Sequence, residues 1–125
     1  MKIVKGMTIC TLFAFSLTLA GCGSKADENK PISEVKAEAE KMDVGQLRNI
    51  AMTYKEAIVA KKTDVDKVAA KLKEIPIAKM VGEEAKQLKT DIDNLNKSVS
   101  ALKERFEVYY QKLKEKGGNL SGLEL

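Results

Sequence analysis

Histidine and tryptophan are absent from this 125-residue chain, cysteine and proline occur twice each, and aromatic residues make up only 5%. Without histidine or a cysteine cluster, the familiar ligand sets for zinc, haem and iron–sulfur clusters cannot be assembled. No metal or other cofactor is therefore expected. The commonest nucleophile–base pairs are missing for the same reason. Glycine-rich phosphate loops are missing too, since Gly45 and Gly82 stand alone, and no small-molecule substrate is expected. Nor does one sign of charge dominate: 22 Lys plus Arg face 18 Asp plus Glu, interspersed along the chain. Nucleic-acid binding usually needs a concentrated basic face, so no such partner is expected.

The longest apolar run, Met7 to Leu19, has 13 residues. A membrane-spanning helix needs roughly 20. Preceded by Lys2 and Lys5, the run has the form of a signal-peptide core instead. It ends in Leu19, Ala20, Gly21 and Cys22, which resembles the lipobox of bacterial lipoproteins. The resemblance implies cleavage between Gly21 and Cys22 and acylation of the Cys22 thiol, palmitate being the kind of chain added. Residues 1–21 are then a removed signal peptide. Cys10 lies inside that segment, so Cys22 has no disulfide partner in the mature chain, and acylation supplies a use for it. With Lys2 and Lys5 gone, 20 basic and 18 acidic residues leave a net charge of +2. More than one acyl chain holds a protein on a membrane stably where a single chain does not. The position after Cys22 is Gly23 rather than Asp, and the resemblance then implies the periplasmic face of the outer membrane if the host has two membranes.

Residues 22–31 are polar and aperiodic and predict a flexible tether reaching about 30 Å. From Ile32 the pattern is helical. Ile32, Val35, Ala39 and Met42 recur at steps of three and four. Asp43 and Gln46 form a capping-box pair, flanked by Met42 and Leu47 as a hydrophobic staple, so a helix boundary is expected at 42–43. The apolar rhythm resumes at Val44 and runs through Leu47, Ala51, Tyr54, Ile58, Val65, Val68, Leu72 and Ile75, interrupted only by Lys61. Thr63 and Asp64 could start a new helix, but the register does not slip there, so one helix is expected up to Pro76. Beyond it, Ala85, Leu88, Ile92, Leu95, Val99, Leu102, Phe106, Tyr109 and Leu113 keep alternating steps of three and four, a coiled-coil seam. Projected backward, that seam includes Ala78 and Val81. Lysines 112, 114 and 116, followed by Gly117 and Gly118, mark its end.

The expected fold is all-α: a long helical hairpin or coiled coil over residues 32–116, broken near 76, with a tail over 117–125. A bare two-helix hairpin buries little area for its entropy cost. Either residues 32–42 pack as a third helix or hairpins pair into a four-helix bundle; Ile and Val at a-type with Leu at d-type positions also suit parallel dimers. Self-association is expected in any case.

Three acidic pairs, Asp64 with Asp66, Glu83 with Glu84 and Asp91 with Asp93, stand among lysines on helical faces, where solvation explains them better than general acid–base work. No enzymatic activity is expected. Arg48, Lys55, Lys61 and Lys62 align on one side of the first long helix, though Glu56 and Asp64 interrupt them as an anion-binding face. Phe106 and Tyr109 read as core, with Tyr110 beside them. The tail carries Leu120, Leu123 and Leu125, and a terminal Leu-Glu-Leu is similar to ligands captured by sheet-edge, carboxylate-binding domains. Leu123 and Leu125 are thus candidate docking residues, beside the plainer reading in which Leu120 folds back onto Leu113 as a C-cap contact and the rest frays. The expected function is a lipid-anchored, non-catalytic envelope scaffold, spacer or adaptor that meets another copy or another helical envelope protein through its seams. The alternative is a membrane-active protein whose amphipathic helices lie on or perturb bilayers.

Overall fold

The computed structural model describes residues 25–125; the expected signal peptide over 1–21, its cleavage position at Gly21 and the expected acylation position Cys22 lie outside the described residues. Helix α1 spans Ile32–Lys41, α2 spans Val44–Glu74, a single 3-10 turn covers Ile77–Lys79, and α3 spans Glu83–Glu115. The all-α class holds, with α2 and α3 folded into a long antiparallel hairpin and α1 laid against α3.

Local chemistry sets most boundaries. The Pro31 carbonyl accepts the Glu34 and Val35 amides at 3.0 Å and opens α1. With only 10 residues, α1 is too short to persist alone. Burial of Val35 and Ala39, one turn apart, holds it in place. The capping box forms as the sequence predicts: the Asp43 carboxylate accepts the Gln46 amide at 2.8 Å, and the Gln46 side chain accepts the Asp43 amide at 3.0 Å. α2 then runs 31 residues without interruption. Inside it, the Thr63 hydroxyl donates to the Val59 carbonyl at 3.0 Å, the bond of a helix-interior residue rather than a cap. Ile75 takes an extended conformation ahead of Pro76, as the proline ring requires.

The turn departs from the projected seam. α3 begins only at Glu83, behind Gly82 as its N-cap, so Ala78 and Val81 belong to the turn and are exposed rather than continuing the stripe. At its far end α3 closes in a Schellman motif. Gly118 donates to the Leu113 carbonyl at 2.9 Å and Gly117 to that of Lys114 at 3.0 Å, with Gly117 at a φ of 73°. A Cβ on Gly118 would stand 2.1 Å from Leu113 Cδ1 and 2.9 Å from Val44 Cγ1, so only glycine fits this crossing.

The core is concentrated at one end, the head. Leu47, Ile50, Ala51, Tyr54 and Ile58 from α2 meet Val99, Leu102, Phe106, Tyr109 and Leu113 from α3, with Val35 and Ala39 above them. Tyr54 and Tyr109 pack at 5.5 Å between ring centroids, and Phe106 and Tyr110 at 5.6 Å. The remaining hairpin, residues 59–98, is an arm two helices thick. Of the seam, Leu88, Ile92 and Leu95 are only half-buried there, whereas Leu102, Phe106, Tyr109 and Leu113 are buried. Ala85 is the one fully buried apolar residue of the arm.

Candidate functional site

Three surfaces stand out among the described residues: the N-terminal segment, the C-terminal tail and the apex of the arm. The first two are fastened where long cationic side chains on α2 and α3 find oxygen acceptors.

The tether expected over 22–31 is not free from Lys25 onward. Tyr54 exchanges hydrogen bonds with Asp27, its hydroxyl accepting the Asp27 amide and donating to the Asp27 carbonyl, both at 3.2 Å. Arg105 donates through Nε to the Lys30 carbonyl at 2.8 Å and through a terminal nitrogen to Ala101 at 2.7 Å. Ala26 packs against the core, and Lys30 pairs with Glu38. A segment with little apolar content is thus held by its backbone, a kind of contact that composition does not reveal. Arg105 is 8% exposed, the one buried charged residue among those described. Both bonds go to carbonyls, which gives two of the guanidinium donors partners where water is excluded.

Glu38 is also the acceptor for the Tyr109 hydroxyl at 3.2 Å. Burial pushes the Tyr109 hydroxyl well above its usual pKa, with the Tyr54 hydroxyl and the Glu38 charge adding to the effect. Burial works against the Lys30 charge, but the hydrogen bond and charge of Glu38 prevail and raise its pKa. Farther along, Lys112 bridges Glu115 and Glu40. Those two carboxylates raise the Lys112 pKa, and Lys112 in turn holds the Glu40 carboxyl below its ordinary range. Lys116 then reaches the carbonyls of Glu40 and Met42 at 3.3 and 2.6 Å, placing a cation on the negative end of α1. An open cleft of about 360 Å³ lies between α1 and α3 beside these pairs, lined by Lys36, Glu40, Val108 and Gln111 among others.

The tail is tied down as well. Arg48 donates to the carbonyls of Asn119 and Ser121 at 2.6 and 2.8 Å, and Lys55 to that of Gly122 at 2.6 Å. Leu123 is 1% exposed and joins the core, while Leu125 is 48% exposed. Arg48 and Lys55, which the sequence places with Lys61 and Lys62 on an interrupted face, are engaged by the tail. Leu123 is not offered to a partner in this structure, because burying it beside α2 removes more apolar surface from water than leaving it exposed.

The acidic pairs lie where solvent reaches them: Asp64 is 3.7 Å from Lys67, Glu83 is 3.4 Å from Lys86, and Asp91 accepts from Gln87 at 2.8 Å. Among the described residues no three His, Cys, Asp or Glu side chains are grouped to hold a metal ion. No helix among them is long and apolar enough to cross a membrane. On the arm, an open cleft of about 410 Å³ continues beside Lys61, Val68, Asp91, Asn94, Leu95 and Ser98.

The apex is the most exposed apolar feature. Ile77 is 92% and Val81 80% exposed, four residues apart across the 3-10 turn. Lys79 stands between them and Lys73 in the last turn of α2 below. Sequence periodicity assigned Val81 to the seam and missed the pair. The signal was the gap between the stops at Pro76 and Gly82, in which aliphatic residues have no helix to belong to. Arg105 was missed for another reason, since it reads as an ordinary flanking charge; the only hint is its alignment with Lys112 and Lys116 on one side of α3, opposite Glu38 and Glu40 of α1. Compared with protein-family models, curated proteins and solved structures, the chain matches none of them.

Proposed function

We propose that this chain is a bacterial lipoprotein, anchored through acyl chains on Cys22 and facing outside the cytoplasm, whose helical domain serves as a non-catalytic scaffold, spacer or adaptor in the cell envelope. The outer membrane is its site if the host has two membranes. The observation that carries the reading is a combination: a Leu-Ala-Gly-Cys sequence closing a short apolar run stands directly before a domain that spends its polar groups on fastening its own segments. The arm adds support, because a half-covered seam on a protruding hairpin suits contact with another copy or another helical envelope protein. No residue of the domain is assigned to substrate or cofactor.

Expressed in a bacterial host, the full chain is expected to partition into membranes with a mass increase of acyl chains on Cys22. Cys22→Ser should abolish both. Light scattering on the soluble Cys22→Ser fragment 22–125 tests the scaffold: a dimer or larger species supports contact between arms. Equal membrane partition of Cys22→Ser and the parent would overturn the anchoring.

A further inference from the structure

We propose that Ile77 and Val81, at the apex of the arm, form a second membrane contact that inserts into the same bilayer in which the acylated N-terminus is held. The inference rests on the lipid-anchored reading and adds to it a surface and an orientation.

The chain outside the structure ends at a telling place. Asp27 is fixed at Tyr54, partway along α2 rather than at either end of the hairpin. Cys22 lies five residues upstream of Asp27, a reach of about 17 Å when extended. Had residues 22–31 all been free, the reach would have been about twice as long. Docking the segment therefore brings the domain down toward the bilayer and sets its pivot about a third of the way along α2. From Tyr54 to the end of α2 at Glu74 is about 30 Å. An arm of that length cannot stand apex-down on an anchor with so short a reach, but inclined along the surface it brings its apex to the lipid.

What the apex presents suits a bilayer better than a protein pocket. Two aliphatic side chains stand in the turn between the helix ends, and Pro76, Ala78 and Lys79 beside them are exposed as well, so the apex offers a small apolar tip. A bilayer requires no shape complementarity. The stems of Lys73 and Lys79 can lie along the apolar boundary while their ammonium groups stay at headgroup level. Two residues alone would bind lipid weakly, but acylation makes their insertion an intramolecular step at high effective concentration.

Because the chain has no tryptophan, a single introduced one is a clean reporter. Ile77→Trp, Val81→Trp and, as a control on the exposed surface of α3 away from the apex, Ser100→Trp are made in the full acylated chain. Each is reconstituted into phosphatidylethanolamine–phosphatidylglycerol vesicles, with and without brominated acyl chains. Quenching at positions 77 and 81 is expected to exceed that at 100 by at least about threefold, the depth difference between an inserted side chain and one in water. Vesicle-bound protein whose apex tryptophans remain open to aqueous quencher would overturn this inference and leave the anchoring reading intact. Apex tryptophans shielded without bromolipid quenching, with apex-to-apex cross-links, would overturn it in favour of a second copy. Protein that carries no acyl group and does not bind vesicles would overturn both readings.

Discussion

Residues 47–58 of α2 place five side chains in the core, whereas residues 59–74 of the same helix bury none. α3 repeats the contrast: Val99 to Leu113 are core, and between Glu83 and Ser98 only Ala85 is fully buried. Yet the three-four apolar rhythm runs through both halves of each helix. The difference comes from what lies on top. In the head, α1, the segment from Ala26 to Pro31 and the tail form a further layer over the hairpin, and the core closes. In the arm nothing does, so the same Leu, Ile and Val pattern stays half in water. An amphipathic stripe states which face turns inward; how much it stabilises depends on whether another layer arrives.

That contrast can be broken first by deletion of apolar volume. Leu113→Ala should destabilise the protein by about 2–4 kcal/mol, the cost of an enclosed cavity, whereas Leu72→Ala in the half-exposed arm should cost about 1 kcal/mol or less. Urea unfolding followed by circular dichroism measures both. Equal losses would show that the arm is covered in solution, as self-association would require.

The two ends of α3 offer a sharper pair. Gly118→Ala forces a Cβ into Leu113 and Val44 and is expected to cost about 1–3 kcal/mol. Gly82→Ala, whose Cβ would meet only the Lys79 carbonyl at 3.1 Å, should stay within about 1 kcal/mol. The shift in urea midpoint at constant slope checks the order. A larger effect at Gly82 would locate tight packing at the apex instead of the head.

Acid titration gives the smallest expected effect and isolates the α1–α3 fastening. Glu40 has its pKa lowered by Lys112, so the stability it contributes is intact above the ordinary 4.5 and is lost only as pH falls through its lower folded value. Lys112 and Lys30 have raised values, so their contributions are present below the ordinary 10.5 and disappear as pH rises through the higher folded values. Head stability should therefore be flat with respect to these three groups between 4.5 and 10.5. Glu40→Gln should flatten part of the acid limb while leaving the alkaline limb of Lys30 in place. An unchanged acid limb in the unfolding curves would remove Glu40 from the fastening.

Much of the fold was legible because its signals are local. The Asp43–Gln46 box, the stop at Pro76, the Gly117–Gly118 closure and the continuity of α2 past Thr63 each depend on residues within a turn or two of one another. The surfaces were less legible. Arg48, Lys55, Arg105 and Lys116 bind backbone carbonyls 67 to 75 residues away in sequence. Every residue except its own identity offers the same carbonyl, so no pairing of residue types betrays such contacts. The tether looked free for that reason, and nothing pointed to the hold of Arg48 and Lys55 on the tail.

The sequence by itself determined the helices, their inward faces and their ends apart from the start of α3, because periodicity and capping act over a few residues. It also carries the lipoprotein-like N-terminus, which is a matter of residue order alone. Only the tertiary structure decided that the head closes and the arm does not, that the N-terminal segment docks beside Tyr54 of α2, and that Ile77 and Val81 stand at an exposed apex. Those outcomes depend on long cations meeting distant carbonyls and on a third layer covering one half of a uniform seam, and neither is encoded within any single stretch of chain.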